Sequence, residues 1–363
     1  MAYTTINKST DYFDTKLFTG TGATQSVTGL DFSPDFTWLN RRIDSNNGGS
    51  ALYDVNRGVN KSLRTDLTNA EATITGGLTS FDTNGFTLGS NIISNELDQT
   101  MCSWNWKAGT SISNGTNGST QQESTVNVNT TSGFSIVSWE GTGDVMAIPH
   151  NLGVVPEMII FKEIDGSSSF HVYHKDSRLN ATTAPEDSGI SLNSFNDSYS
   201  TVTMWNSTAP TSTQFFIGGS SDSYNQYGQT YVAYCFASKQ GFSKCGSYLG
   251  NGNTNGPTIF TGFSPAFVLI KLSYGDTTNG RWYLNDSKRG QSGQSGVAGS
   301  MAHFHSEYPS GGETEVDPID FLATGFKIRT PVSGRNRNSC NMIYYAIAAT
   351  PLVGTNNVPS TAV

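Results

Sequence analysis

One phrase of the sequence occurs three times and constrains the fold more than any other feature. Each copy places a proline ahead of an apolar run that ends on a polar or basic residue, at residues 32–40, 154–162 and 263–271. The prolines lie about 110–120 residues apart, which is the length of a small domain. Repetition at that spacing predicts a chain made of three variants of one unit.

Further landmarks follow each copy in a common order. The first is an aromatic strand with an Asp/Asn turn leading to a basic residue, at 51–58, 171–178 and 281–290. The second is a pair of phenylalanines around a glycine turn, at 80–88 and 320–328, with a looser equivalent at 213–218. The last is an aromatic closing strand at 104–108, 234–238 and 344–348.

These landmarks set the predicted boundaries. The predicted segments are an N-terminal arm (1–16), a first unit (17–109), a linker (110–133), a second unit (134–241), a third unit (242–354) and a polar tail (355–363). The linker prediction depends on a Ser/Thr/Asn/Gly-rich composition. The alternation of Val126, Asn127 and Val128 is equally typical of an edge strand.

The composition predicts an all-β fold. Only 14% of the 363 residues are charged, while turn-forming and aromatic residues are abundant. The apolar segments are short, alternate in period two, and show no helical stripe. We therefore expect three tandem antiparallel β-sandwich units, jelly-roll-like and related by internal repetition.

Charge and cysteine content exclude several classes of protein. A net charge of −8 with no basic run argues against nucleic acid and against an anionic membrane surface as partners. No apolar run is long enough for membrane insertion, and the chain shows no secretion signal, so we expect synthesis in a cytoplasm. The four cysteines lack metal-site spacing and are expected to be buried free thiols.

The sequence contains no catalytic motif that we can assign, and we predict neither an enzyme nor a cofactor. The glycine-rich stretch at 20–24 lacks the lysine of a phosphate-binding loop, and we interpret it and residues 141–144 as hairpin turns. His303 and His305 are weak metal-ligand candidates because alternate residues of a strand share a face. His171 and His174 would lie on opposite faces of a strand, at the surface.

Two other groups are weak candidates for ligand contact. Glu313, Glu315 and Asp317 form an acidic stretch that could hold Ca²⁺ or supply paired carboxylates for glycoside cleavage, although a solvated loop is the plainer interpretation. Most tryptophans lie in strand patterns and are expected in the core. Trp205, which precedes a Thr/Pro/Ser loop, is the candidate for an exposed contact residue.

Several long motifs resemble a known family. Residues 1–6, the proline corner at 32–38, and residues 66–71 and 79–86 look like repeated β-domain proteins of tailed bacteriophages, many of them marine. Residues 150–160 and 231–237 are similar to the second unit of that family. Residues 260–268 and 285–290 are similar to its third unit.

The resemblance implies a role in the phage particle. Members of that family resemble tail-fibre, tail-associated or head-decorating virion components, and no catalytic residue carries over from them. We expect a host-attachment protein of the tail, located at the virion surface. Its expected partners are other virion proteins, further copies of itself in a homotrimer, and a host surface glycan or protein. Residues 1–16 would dock it to the particle. The alternatives are a capsid decoration or head-fibre protein and a tailspike that degrades surface polysaccharide.

Overall fold

The structure is a computed structural model that describes ten stretches of the chain. These are residues 4–42, 49–116, 120–194, 196–219, 224–275, 280–289, 300–304, 313–315, 319–331 and 333–351. The predicted polar tail, 355–363, lies outside them.

The described residues form 28 strands and very little helix. The first third of the chain contains β1 (Phe13–Thr19), β2 (Gln25–Thr28), β3 (Phe36–Arg41), β4 (Ser50–Asp54), β5 (Lys61–Arg64), β6 (Ala72–Thr73), β7 (Leu78–Asp82), β8 (Gly85–Leu88) and β9 (Thr100–Trp106). The middle third contains β10 (Thr110–Asn114), β11 (Ser124–Asn129), β12 (Phe134–Glu140), β13 (Met146–Pro149), β14 (Met158–Glu163), β15 (His171–His174), β16 (Ser188–Ser191), β17 (Tyr199–Ser200), β18 (Gln214–Ile217) and β19 (Thr230–Phe236). The last third contains β20 (Ser243–Leu249), β21 (Thr258–Phe260), β22 (Ser264–Tyr274), β23 (Trp282–Asp286), β24 (Ser300–Phe304), β25 (Glu313–Glu315), β26 (Ile319–Leu322), β27 (Gly325–Ile328) and β28 (Asn341–Thr350). Two one-turn α-helices, α1 (Ile92–Asn95) and α2 (Ser333–Asn336), and 3₁₀ turns at Ser9–Asp11 and Pro185–Asp187 complete the set. The all-β prediction is confirmed.

The strands build three large sheets and three small ones. The first large sheet has the order β1-β9-β3-β4-β5-β6, the second β10-β11-β12-β19-β14-β15-β16-β17, and the third β20-β28-β22-β23-β24-β25. The small sheets are β2-β8-β7, β13-β18 and β21-β27-β26. All pairings between the named strands are antiparallel.

The strand that follows each proline corner occupies the same place in its sheet. β3 lies between β9 and β4, β14 between β19 and β15, and β22 between β28 and β23. The registers agree as well, since Phe36, Met158 and Phe267 pair with the last residue of β4, β15 and β23. Such agreement is what three variants of one unit would produce, although their common descent stays a prediction.

Each small sheet packs on the outer face of its large sheet. In the middle third, Ile148 and Phe215 from the small sheet share a core with Ile159, Phe161 and other residues of the second large sheet. The first and third large sheets have corresponding cores, one containing Phe86 and Leu39 and the other Phe326 and Ile270. These three outer cores make each third of the chain a two-layer sandwich.

The inner faces of the three large sheets meet in one central core. The indole of Trp106 shows this directly, because its ring lies 5.1 Å from that of Phe36 in its own sheet, 6.3 Å from Phe236 in the second, and 5.6 Å from Phe267 in the third. Large sheets are therefore covered on both faces, and β3 and β14 are buried at every residue. Along one strand, side chains therefore alternate between the central core and an outer core.

Two predicted segments differ from expectation because they join these sheets. The predicted arm is packed into the body, since Ile6 lies in the central core at 1% exposure and β1 begins at Phe13. The predicted linker at 110–133 contains β10 and β11, which extend the second large sheet beyond β12. The alternation around Val126 was thus the better signal, because Val126 and Val128 bury their side chains in the second outer core.

We predict that Trp106→Ala lowers the free energy of unfolding by about 3–5 kcal/mol, because it removes a buried indole and leaves a cavity. All three sheets should then unfold in one transition at lower urea, since all three line the core that is damaged. Urea titrations followed by far-UV circular dichroism and by fluorescence measure both effects.

Leu97→Ala is the matched control for this experiment. Leu97 is 60% exposed, and its truncation should change stability by less than about 0.5 kcal/mol. Two separated transitions in the parent protein would contradict a shared core.

Candidate functional site

The strands that follow the proline-corner strands in each large sheet, β4, β15 and β23, each end on a polar side chain that bonds to a neighbouring large sheet. The three residues are Asp54, His174 and Asp286, which pair with Phe36 of β3, Met158 of β14 and Phe267 of β22. Each is buried, with at most 4% of its surface exposed. A buried polar group destabilises the fold unless it is hydrogen-bonded, so the partners decide what these positions contribute.

Asp54 joins the first large sheet to the second. Its Oδ2 accepts a 2.7 Å hydrogen bond from the hydroxyl of Tyr234 in β19 and lies 2.6 Å from Nε of Arg57. The guanidinium of Arg57 also donates to the carbonyl oxygen of Leu52. Burial, together with the carboxylate of Asp54, raises the pKa of Tyr234 well above its ordinary value, so the hydroxyl remains a donor.

Asp286 joins the third large sheet to the first in the same way. Its Oδ2 accepts a 3.0 Å hydrogen bond from the indole Nε1 of Trp104 in β9 and pairs with Nε of Arg289. The Arg289 guanidinium lies over the Trp104 ring, 4.9 Å from its centroid. Arg289 also donates to the carbonyl oxygen of Leu284, as Arg57 does to the matching residue of β4.

His174 joins the second large sheet to the third. Its Nδ1 accepts from the backbone N–H of Asp176 at 3.1 Å, so the proton of the neutral ring lies on Nε2, which donates to the carbonyl oxygen of Tyr344 in β28. Burial lowers the pKa of His174 to about 4. The prediction that His171 and His174 lie at the surface is wrong, because both side chains are buried in a sheet that is covered on both faces.

The three junctions form a closed cycle from the first sheet to the second, the second to the third and the third to the first. The sequence contained a signal for two of them, since an aspartate precedes an arginine by three residues at Asp54 and at Asp286. That spacing had only indicated a turn. Its role in joining sheets depends on Tyr234 and Trp104, which lie more than a hundred residues away.

Buried lysines at matching positions close two loops. Lys162, at the end of β14, donates to the carbonyl oxygen of Gly166 and to the hydroxyl of Ser168 at 3.1 and 3.0 Å. Lys271 in β22 donates to the carbonyl oxygen of Asn196, in the second third of the chain, at 2.5 Å. Burial lowers the pKa of Lys162 to about 8 and that of Lys271 to about 7. Both lysines therefore hold backbone in place.

The glycine-rich turns cross between sheets and are not hairpins. The turn at 141–143 leads from β12 in a large sheet to β13 in a small one, and the turn at 20–24 leads from β1 to β2 in the same way. A Cβ on Gly141 would lie 2.2 Å from the carbonyl oxygen of Gln226, so the backbone contact requires glycine. The amide of the fully buried Asn225 donates to the carbonyl oxygen of Asp144 at 2.6 Å.

A buried asparagine bonds to the crossing turn in the same way in the other two thirds of the chain. Buried Asn95 and Asn336 donate to the turns that follow Gly20 and Gly250. Sequence reasoning missed these asparagines. The signal that could have found them is an asparagine five residues before the start of each closing strand.

A polar cleft of about 470 Å³ opens beside the turn at 141–143. β11 and β12 supply one side, and the loop that carries Tyr227 supplies the other. The cleft is lined by Gln122, Glu123, Ser124, Thr125, Ser138, Trp139, Glu140, Gly141, Thr142 and Tyr227. Its volume lies in the range of small-molecule sites, about 300–1,000 Å³.

Trp205 is not an exposed contact residue. Its indole is 1% exposed and packs edge-on against Phe161 at 5.3 Å and Tyr173 at 5.5 Å in the second outer core. The loop after it had suggested exposure, but the residue before it, Met204, is fully buried as well.

The other candidate residues are only partly described. His303 lies in β24 opposite Tyr283, while His305 lies outside the described residues. Glu313 and Glu315 lie in β25, and Asp317 lies outside the described residues. Within the part of the chain that the structure describes, no group of three or more His, Cys, Asp or Glu side chains is placed to hold a metal ion.

The cysteine prediction is confirmed, because Cys102, Cys235, Cys245 and Cys340 are buried thiols that form no disulfide. Burial raises the pKa of Cys245 well above its ordinary value. No helix among the described residues is both long enough and apolar enough to cross a membrane.

Comparison with known proteins places the chain in one family. Residues 8–351 match a family described as a domain of unknown function, DUF7483. The match spans all three large sheets, and the chain belongs to this family. No curated protein matches it.

We predict that Asp54→Asn destabilises the protein by about 3 kcal/mol, because the buried guanidinium of Arg57 loses its nearest carboxylate and keeps only that of Glu71, at 3.1 Å. Tyr234→Phe should cost about 1.5 kcal/mol, since it removes one hydrogen bond to a carboxylate and keeps the ring. Urea denaturation of the two single variants and the double variant gives the coupling energy between the residues. Additive effects would contradict a direct junction.

Stability should fall as the pH is lowered from 6.5 to 4. The pKa of His174 is lowered in the folded protein from 6.5 to about 4, so the unfolded chain takes up the proton first. The stabilisation is present above pH 6.5 and is lost as the pH falls through about 4. His174→Gln keeps a donor and an acceptor but does not titrate. We expect it to flatten the pH dependence by up to about 1.4 kcal/mol per pH unit, as measured by denaturation at successive pH values. Equal slopes for both proteins would contradict the assignment.

Proposed function

We propose that this chain is a non-enzymatic structural protein of a tailed bacteriophage particle, acting in the tail as a fibre or tail-associated component of host attachment. The long motifs at the proline corners and closing strands, which resemble repeated β-domain virion proteins, support this proposal. On this proposal the protein is made in the host cytoplasm and ends at the virion surface. Its partners are other virion proteins, further copies of itself, and a host surface glycan or protein.

One structural observation carries the proposal, namely that three sheets of one chain share a central core and are joined by a closed cycle of buried junctions. Asp54, His174 and Asp286 each bond to a different neighbouring sheet. A body fastened in this way resists relative movement of its parts, as a virion component under mechanical load must. Loops outside the sheets remain available for recognition, which is where binding residues are usually found.

A capsid decoration or head-fibre protein is the second candidate, and a specific observation favours it. A fibre needs a segment that docks it to the particle, and residues 1–16 were expected to supply one. Residues 4–16 instead pack against the body, with Ile6 in the central core and Phe13 against Phe267 at 5.4 Å. Attachment through the face of a compact body suits a protein that sits on a shell.

We expect antibodies against this chain to label virions purified from the phage that encodes it. Immunogold electron microscopy should place the label on the tail, which is the location of a tail fibre or tail-associated component. Label on the head would support capsid decoration instead. Pre-immune serum on the same particles is the control.

Absence of the chain from purified particles, by labelling and by mass spectrometry of the virion proteins, would contradict both forms of the proposal. The measurement needs no variant, so a folding defect cannot imitate that result.

A further inference from the structure

The polar cleft lies where the second large sheet departs from the plan of the other two. In the first and third large sheets, β1 and β20 are edge strands among the described residues. The matching strand of the second sheet, β12, is covered by the added strands β11 and β10. Ser124 and Thr125 of β11 form the wall of the cleft, so the wall is made from residues that the other sheets lack.

Tyr227 occupies a position at which the three thirds of the chain also differ. In each third, one side chain lies against the second glycine of the crossing turn, and these side chains are Leu97, Tyr227 and Asn338. Tyr227 is 80% exposed. Only the second third therefore combines a flat aromatic ring at this position with an adjoining wall.

The loop that presents Tyr227 is held in place by backbone hydrogen bonds. Gly143 donates to the carbonyl oxygen of Asn225 at 2.7 Å, Gly141 donates to Gln229 at 2.7 Å, and Gly228 donates to Gly141 at 2.9 Å. The ring of Tyr227 is thus exposed on a fixed loop, which reduces the entropy lost when a ligand is bound.

The lining offers hydrogen-bonding groups to a ligand with many hydroxyl groups and disfavours anions and purely apolar ligands. Glu123 and Glu140 are exposed and accept hydrogen bonds, while Gln122 and Ser138 can both donate and accept. The carboxylates repel phosphates and other anions, as does the net charge of −8. A purely apolar ligand would cover the two carboxylates without offering them a hydrogen bond.

We propose that this cleft binds a neutral hexopyranose saccharide, with one sugar ring stacked on Tyr227 and its hydroxyl groups bonded to Glu140, Glu123 and neighbouring side chains. The apolar C–H face of such a ring suits an exposed aromatic side chain. This inference names the class of host molecule that the protein would recognise, and in that respect it rests on the attachment function proposed above.

Saturation-transfer difference NMR on the purified full chain tests the proposal, with cellobiose, maltose, lactose and chitobiose as probes. At least one disaccharide should receive saturation at its ring protons. Tyr227→Ala should weaken its binding by about tenfold or more because the stacking surface is lost. Tyr227→Phe keeps the ring and should bind like the parent protein.

Leu97→Ala is the matched control, because Leu97 occupies the corresponding position in the first third, where β1 is the edge strand of the sheet as far as the structure describes it. It should bind the sugar as the parent protein does. The proposal is overturned if none of the four disaccharides receives saturation, or if Tyr227→Ala binds as tightly as the parent.

The outcome is independent of the proposed function. The sugar experiment uses purified protein and no particles, whereas the location of the chain is read from virions. A chain found in virions whose cleft binds no disaccharide leaves the structural role intact and removes the saccharide site. A chain that is absent from virions but binds a disaccharide through Tyr227 removes the structural role and leaves the saccharide site intact.

Discussion

The burial of aromatic side chains between three sheets is the interaction on which the rest of the structure depends. A large sheet with apolar residues on both faces cannot be left open to water on either side. Small sheets cover the outer faces, and the inner faces cover one another around Trp106. Each buried aromatic residue removes roughly 150–250 Å² of surface from water, so the three thirds of the chain stabilise one another.

Polar junctions at the border of that core define how the sheets meet. Apolar packing alone tolerates many arrangements, whereas Asp54, His174 and Asp286 each require a particular partner on the next sheet. A misplaced sheet would leave a buried carboxylate or imidazole unsatisfied, at a cost of a few kcal/mol. The junctions therefore favour one arrangement of the sheets over others that bury similar apolar area.

The loops differ between the three thirds of the chain, whereas the arrangement of the strands is kept. In all three thirds a buried asparagine donates to a carbonyl oxygen of the glycine turn, but the residue against the turn is Leu97, Tyr227 or Asn338. Added strands β10 and β11 occur beside only one of the three turns. Because the three thirds of the chain share this arrangement of strands, their loops can differ without disturbing the core.

The sequence by itself determined the strand content, the strands that follow the proline corners, and the burial of the four cysteines, because period-two alternation and turn residues are local signals. It did not show that residues 110–133 extend a sheet, that residues 4–16 enter the core, or that His174 and Trp205 are buried. Alternation reveals that a strand has two faces, but whether the second face meets water or another sheet depends on residues more than a hundred positions away. Only the tertiary structure decided that, and with it the junctions and the cleft beside Tyr227.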